Sequence, residues 1–199
     1  MLQAPQRPTS GVDVQDVVME KYIELGWVHP LMALKKSSEL ITVGARVTET
    51  AANTFTQATV DLQLNPLDQE VFVVQAIDMN VAPPDAIAAT NTTTLAFLTS
   101  TSQTALPQFN DSVVLAAKEL TIRAAGFVDG GVAFDTGIAE TPPSQLDYIG
   151  IISTNDFFLQ IEGTNNAVAK SMAVKVYGYR ARADAATYAA LVQSEVLSS

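Results

Sequence analysis

Along this chain the spacing of hydrophobic residues changes twice. From Asp13 to Leu25 the apolar positions Val14, Val17, Val18, Tyr22 and Leu25 recur every three or four residues, the interval that lines one face of an α-helix, and Asp13 stands where a cap belongs. Gly26 and His29-Pro30 end the pattern. From Glu39 the interval falls to two. Ile41, Val43, Ala45 and Val47 alternate with Thr42, Gly44, Arg46 and Thr48, and Val60, Leu62 and Leu64 alternate with Thr59, Asp61 and Gln63, which predicts half-buried strands. Glu70 to Val81 is the clearest: Val71, Val73, Ile77, Met79 and Val81 are read as one face, interrupted only by Gln75, before Pro83-Pro84 stops the run.

Asp85 to Asn110 is rich in Thr, Ala, Ser and Asn with one apolar knot, Leu95-Ala96-Phe97-Leu98, and reads as a long connection holding a short strand or helix. Val113 to Ala125 and Phe127 to Phe134 read as strands around the hairpin signal Asp129-Gly130-Gly131. Pro142-Pro143 opens another loop. Tyr148 to Ser153, Phe157 to Glu162 and Met172 to Tyr179 complete eight or nine strands, with Gly163-Thr164-Asn165-Asn166 as a turn. After Asp184, a second cap, Ala185, Tyr188, Ala189, Val192 and Val196 return to helical spacing.

Many strands without βαβ alternation predict an all-β fold: an antiparallel β-sandwich of jelly-roll type with a short N-terminal helix and a C-terminal helix. The predicted organisation is an N-terminal arm over residues 1–38, the sandwich over 39–181, and the final helix over 182–199. A chain of 199 residues is long enough for one such domain to bury roughly 70% of its unfolded surface.

Charge adds an asymmetry that the periodicity does not show. Residues 39–169 hold fifteen acids against Arg46, Lys118 and Arg123, a net of -12, whereas residues 1–38 balance four against four. Residues 170–199 set Lys170, Lys175, Arg180 and Arg182 against Asp184 and Glu195, a net of +2. An acidic body repels other polyanions, so any contact with one falls to the ends. Charged residues make up only 16% of the chain, against about 25% in ordinary soluble domains. The Thr-, Asn- and Ala-rich surface that replaces them is easily buried against another subunit, because it strands no charges.

Reactive side chains are few. There is no cysteine, so neither a disulfide nor a thiol nucleophile exists, and the single histidine, His29, is the only base on which a Ser-His-Asp triad can be built. Zinc sites of several Cys or His are excluded. Asp129 with Asp135, or Asp147 with Asp156, can offer oxygens to calcium, but no EF-hand spacing occurs and these read as solvated turn acids. Gly126-Phe127-Val128-Asp129-Gly130-Gly131 lacks the Lys-Ser/Thr of a phosphate loop and reads as a hairpin. Phe157, Phe158, Tyr177 and Tyr179 lie beside few bases, which favours packing over nucleic-acid stacking.

An N-terminal arm with a short helix, a body of about eight Thr- and Asn-rich strands, and a last strand running through Tyr177-Gly178-Tyr179-Arg180 into a C-terminal tail resemble the single jelly-roll capsid proteins of icosahedral viruses. The likeness is one of whole-chain organisation. The chain departs from many plant-virus coats, which begin with a long Arg-rich arm. The resemblance implies a structural, self-assembling protein of the virion capsid rather than an enzyme, with no cofactor and no small-molecule substrate. Its partners are then copies of itself, with other virion proteins, the genome or an inner membrane as further contacts. Lys35, Lys36, Lys170, Lys175, Arg180 and Arg182 are the candidate inner-face or subunit contacts, while Asp85, Asp111 and Glu140 are expected outside or at subunit rims. Val14, Val18, Tyr22, Leu25 and Trp27 are the candidates for docking the arm. The alternatives are a phage tail, fibre or surface-filament subunit and, from another class, a carbohydrate-binding β-sandwich module or a carboxylate glycosidase.

Overall fold

The alternation that begins at Ile41 builds a strand whose odd-numbered residues face inward and whose even-numbered residues stay in water. The computed structural model describes residues 34–128, 130–138 and 147–197, so the predicted helix at Asp13–Leu25, its docking residues Val14, Val18, Tyr22, Leu25 and Trp27, and also His29, Asp129, Glu140 and Pro142-Pro143 lie outside the described residues. Ten strands and one helix follow in chain order: β1 (Leu34–Lys36), β2 (Ile41–Thr48), β3 (Thr56–Asp61), β4 (Glu70–Val81), β5 (Thr92–Thr99), β6 (Val114–Arg123), β7 (Val132–Ile138), β8 (Gly150–Ile152), β9 (Asp156–Thr164), β10 (Ser171–Ala183) and α1 (Ala185–Leu197).

Their pairing is nested. β2 pairs with β10, β3 with β9, β4 with β8 and β5 with β6, all antiparallel, as though one long hairpin had been folded over on itself. β10 also pairs with β4, and β9 with β5, which closes the strands into two sheets. One runs β2-β10-β4-β8, with the short β1 extending along the same edge of β10 as β2, and the other runs β3-β9-β5-β6-β7. With β1 and β7 set aside, these are the two four-stranded sheets of a jelly roll. The sandwich reaches from β1 at Leu34 to Ala183, somewhat beyond the predicted 39–181.

Between the sheets lies the main core: Val47, Phe72, Val74, Ile77 and Met79 from one sheet meet Ala96, Leu98, Phe157, Leu159 and Ile161 from the other. Burying a side chain of this kind contributes about 1.5–3 kcal/mol relative to leaving it in water. A second, smaller core sits on the opposite face of the first sheet, where Val71, Val73, Ala181 and Ala183 are covered by Tyr188 and Leu191 of α1.

The two cores correct the predicted reading of β4. Val71 and Val73 do not share a face with Ile77, Met79 and Val81; they point to the helix, and Phe72 and Val74 point to the main core. The phase changes because the register slips opposite Tyr177 and Gly178, leaving Gln75 as the extra residue of a β-bulge. Gly178 fits there because a Cβ would collide with the Val73 carbonyl and the Phe72 ring.

β5 is a second correction. The stretch read as a connection with a short element contains a full eight-residue strand, central in its sheet between β6 and β9. Both of its faces are covered, since Ala96 and Leu98 point into the core while Phe97 packs on Phe109 of the β5–β6 loop with ring centroids 5.2 Å apart. The final helix forms where expected, with the Asp184 carboxylate accepting from the Thr187 backbone N–H at 2.9 Å. Its packed face is Tyr188, Leu191 and Glu195 rather than the predicted Ala185, Tyr188, Ala189, Val192 and Val196, of which Ala185, Ala189 and Val196 are exposed.

Candidate functional site

The chemistry of this molecule is concentrated at one end of the sandwich, where three loops meet. Glu49 leaves β2 with its side chain buried, and its carboxylate accepts from the backbone N–H groups of Thr54 (3.1 Å), Gly163 (2.7 Å) and Lys170 (2.6 Å). Asp85, in the β4–β5 loop, accepts from the backbone of Ala167 and Val168 and from Lys170 Nζ at 2.6 Å. Asn53 and Asn166 exchange two hydrogen bonds, and Asn166 also donates to the Thr93 carbonyl. The β2–β3, β4–β5 and β9–β10 loops are thereby tied into one cap spanning both sheets.

Such a cap does not suit acid–base catalysis. The oxygens of Glu49 are taken up by backbone donors, and the Asp85 carboxyl is held below its ordinary value of 3.8 by Lys170 first, with help from the N–H groups of Ala167 and Val168. A carboxylate engaged in this way is a clamp, since its lone pairs are not free for a substrate proton. Glu195 plays the same part beneath α1, accepting from the backbone N–H of Ser153 and Thr154 and from Ser153 Oγ at 2.7 Å.

Cavities are small. One of about 280 Å³ lies beside Ile122 and Ala133 under Ala86, Ile87 and Ala88, and one of about 200 Å³ lies between Leu115, Gly150 and Glu195. Both fall below the roughly 300–1,000 Å³ typical of ligand pockets. Among the described residues no three His, Cys, Asp or Glu side chains converge as metal ligands, and Asp135, weighed above as a calcium ligand, lies 3.3 Å from Lys118 Nζ.

The six basic candidates do not form one patch. Lys170 is buried against Asp85 at the loop end, so a residue expected inside the particle and one expected outside it are in contact. Lys175 stands exposed on the open half of the first sheet, in register with Asp78. The other four gather at the far end of β10. Lys35 is opposite Arg182 in register, and Lys36 lies 5.2 Å from the Tyr179 ring centroid. Arg180 is bound by Glu70 and by the carbonyls of Leu62 and Gln63, and Arg182 is 3.6 Å from Asp68. The aromatic residues divide too: Phe157 is core, while Tyr177 faces outward and is bonded to Asp78, which raises its pKa.

What the predicted strand Phe127 to Phe134 caught only in part is β7, which begins at Val132 and runs on to Ile138. All seven of its residues are exposed, among them Val132, Phe134 and Ile138, and it forms an edge of its sheet. The signal was there in the alternation of Val132, Phe134 and Ile138 with Ala133, Asp135 and Gly137, but the predicted strand ended at Phe134. A scan against protein-family models and a search of curated proteins both find no match to the chain.

Proposed function

We propose that this protein is a structural subunit that assembles with copies of itself, as a capsid protein of jelly-roll type building an icosahedral shell in a virion. The observation that carries the reading is a jelly roll whose loop end is closed on itself by Glu49, Asp85 and Asn166, while the exposed apolar side chains of Phe127, Val128, Val132, Phe134 and Ile138 lie on or just before one edge strand. An enzyme or a sugar-binding module places its polar groups around a cleft, whereas a shell subunit needs a rigid body and open sides. The uncharged Thr- and Asn-rich surface fits burial between subunits for the same reason.

In this reading the basic residues at the far end of β10, Lys35, Lys36, Arg180 and Arg182, together with Lys175, face the interior or subunit contacts, where a genome or inner membrane would meet them. Lys170 is excluded from that role by its partner Asp85. A filament or tail subunit is the second reading, and it is favoured by one feature: among the described residues β3 and β7 leave the second sheet open at both edges, and head-to-tail pairing of unlike edges propagates without closing.

Negative-stain microscopy of the purified full chain separates the readings. Closed shells are expected, rods would favour the filament, and a protein that stays monomeric at high concentration would overturn self-assembly.

A further inference from the structure

β7 combines three properties that no other sheet edge among the described residues shares. Its outward face carries Val132, Phe134 and Ile138, exposed to 50%, 48% and 37%, and Phe127 and Val128 just before it are exposed as well. A concentration of apolar surface of this kind marks an interaction site. Its far edge meets no strand among the described residues, so every second residue of the seven turns its backbone N–H and C=O groups outward for pairing. Natural edges are blunted by charge, proline, bulges or shortness. β8 has three residues, and β2 and β3 carry one charge each, Arg46 and Asp61, as β7 carries Asp135; but only β7 among these edges sets large apolar side chains in water, and its one charge is already engaged by Lys118.

Electrostatics selects the occupant. The body around this edge has a net charge of -12, and two of its three bases, Lys118 and Arg123, stand on β6 beside β7. Over β6 and β7 they balance Glu119 and Asp135, so two acidic copies repel each other least here. We propose that β7 pairs with β7 of a second copy, antiparallel about a two-fold axis, joining two five-stranded sheets into one of ten. This rests on the reading of the protein as a self-assembling subunit. The register follows from the side chains. Centring the axis on Asp135 sets two carboxylates directly opposite, which destabilises a strand pair. Centring it on Phe134 stacks that ring on the partner's Phe134, beside the Arg123 guanidinium 5.1 Å away, and puts Val132 opposite the partner's Thr136 and Ala133 opposite the partner's Asp135.

The chain has no cysteine, so a single introduced thiol reports on this register directly. In the full chain Phe134→Cys places two thiols on directly opposed residues, with Cα atoms about 4.5–5.5 Å apart and within disulfide reach. Thr136→Cys leaves them four residues out of step, about 13 Å apart along the strand. Mild oxidation should convert Phe134→Cys largely to a covalent dimer and leave Thr136→Cys uncrosslinked. Phe134→Asp should raise the dimer dissociation constant about thirtyfold or more, with the circular dichroism spectrum unchanged. If the wild type assembles but Phe134→Cys does not crosslink, or Phe134→Asp assembles as well as wild type, the pairing is wrong while the capsid reading stands. Equal crosslinking of Thr136→Cys also overturns it. Crosslinked dimers without shells uphold the pairing and overturn the capsid reading, and a wild type that is monomeric throughout overturns both.

Discussion

At the loop end of the sandwich, Glu49 and Asp85 between them take up five backbone N–H groups from two loops and the end of β9, whereas along β7 the backbone of seven residues is left with nothing on its outer side among the described residues. The first region buries charge to satisfy its own polar groups, and the second exposes apolar side chains beside unused ones. Internal satisfaction makes a rigid body that needs no partner. An open edge next to a neutral patch gives stability to the molecule only when something pairs with it. The two regions should therefore answer mutation in opposite ways: change at the loop end should be felt in folding, and change at the edge in assembly.

The largest effect is expected at Glu49. Replacing it with Ala leaves the N–H groups of Thr54, Gly163 and Lys170 without an acceptor in a buried site, and each orphaned donor costs about 1–3 kcal/mol. The unfolding free energy should fall by about 3–5 kcal/mol in urea titration. Glu49→Gln keeps one acceptor oxygen and should lose roughly half as much. A midpoint unchanged in both variants would show that the loops do not depend on this carboxylate.

Next comes the Lys170–Asp85 pair. Lys170→Met fits the buried stem but strands Asp85, and should cost about 2–3 kcal/mol, less than a fully buried pair because Asp85 is partly exposed. The pair also gives a pH signature. The carboxyl of Asp85 is lowered in the folded state, so its contribution is present in full above the unfolded value near 4 and is lost as the pH falls below that toward the depressed folded value. Urea midpoints between pH 7 and pH 3 should fall more steeply for wild type than for Lys170→Met over the last unit of that range. Parallel curves would remove Asp85 from the account.

Sequence periodicity reached the strands buried on one face and stopped at those buried on two. β2 shows its inward face as Ile41, Val43, Ala45 and Val47, because water on the other side keeps Thr42, Arg46 and Thr48 polar. β5 has no solvated side to contrast with, since Thr92 and Thr94 are fully buried, Thr93 meets the Thr121 hydroxyl and Phe97 lies against Phe109, so its threonines looked like loop. In β4 the bulge at Gln75 shifts the phase by one residue, and a reader counting in twos merges the two cores. The C-terminal helix was legible in its cap, Asp184, but not in its face, because the buried position is taken by Glu195 and a hydrophobic count passes over it. The site suffered in the same way. Charge totals separate an acidic body from a neutral N-terminal and a basic C-terminal end, yet they do not reveal that Lys170 and Asp85, 85 residues apart, are bonded to each other.

The smallest effect on folding is expected along β7, where it sharpens the contrast most. Val132→Thr and Ile138→Thr remove apolar surface from the exposed face and keep the β-branched shape that suits a strand. Because these side chains are already half or more than a third in water, each replacement should change the unfolding free energy by no more than about 0.5 kcal/mol. Their hydroxyls need no buried partner in the monomer. In an assembled particle they would lie against a neighbour, so the double variant should show the wild-type urea midpoint at low concentration together with a raised critical concentration for assembly. A double variant that unfolded several kcal/mol earlier would mean that β7 is packed within its own subunit, and the division between a fastened end and an open edge would fail at its second term.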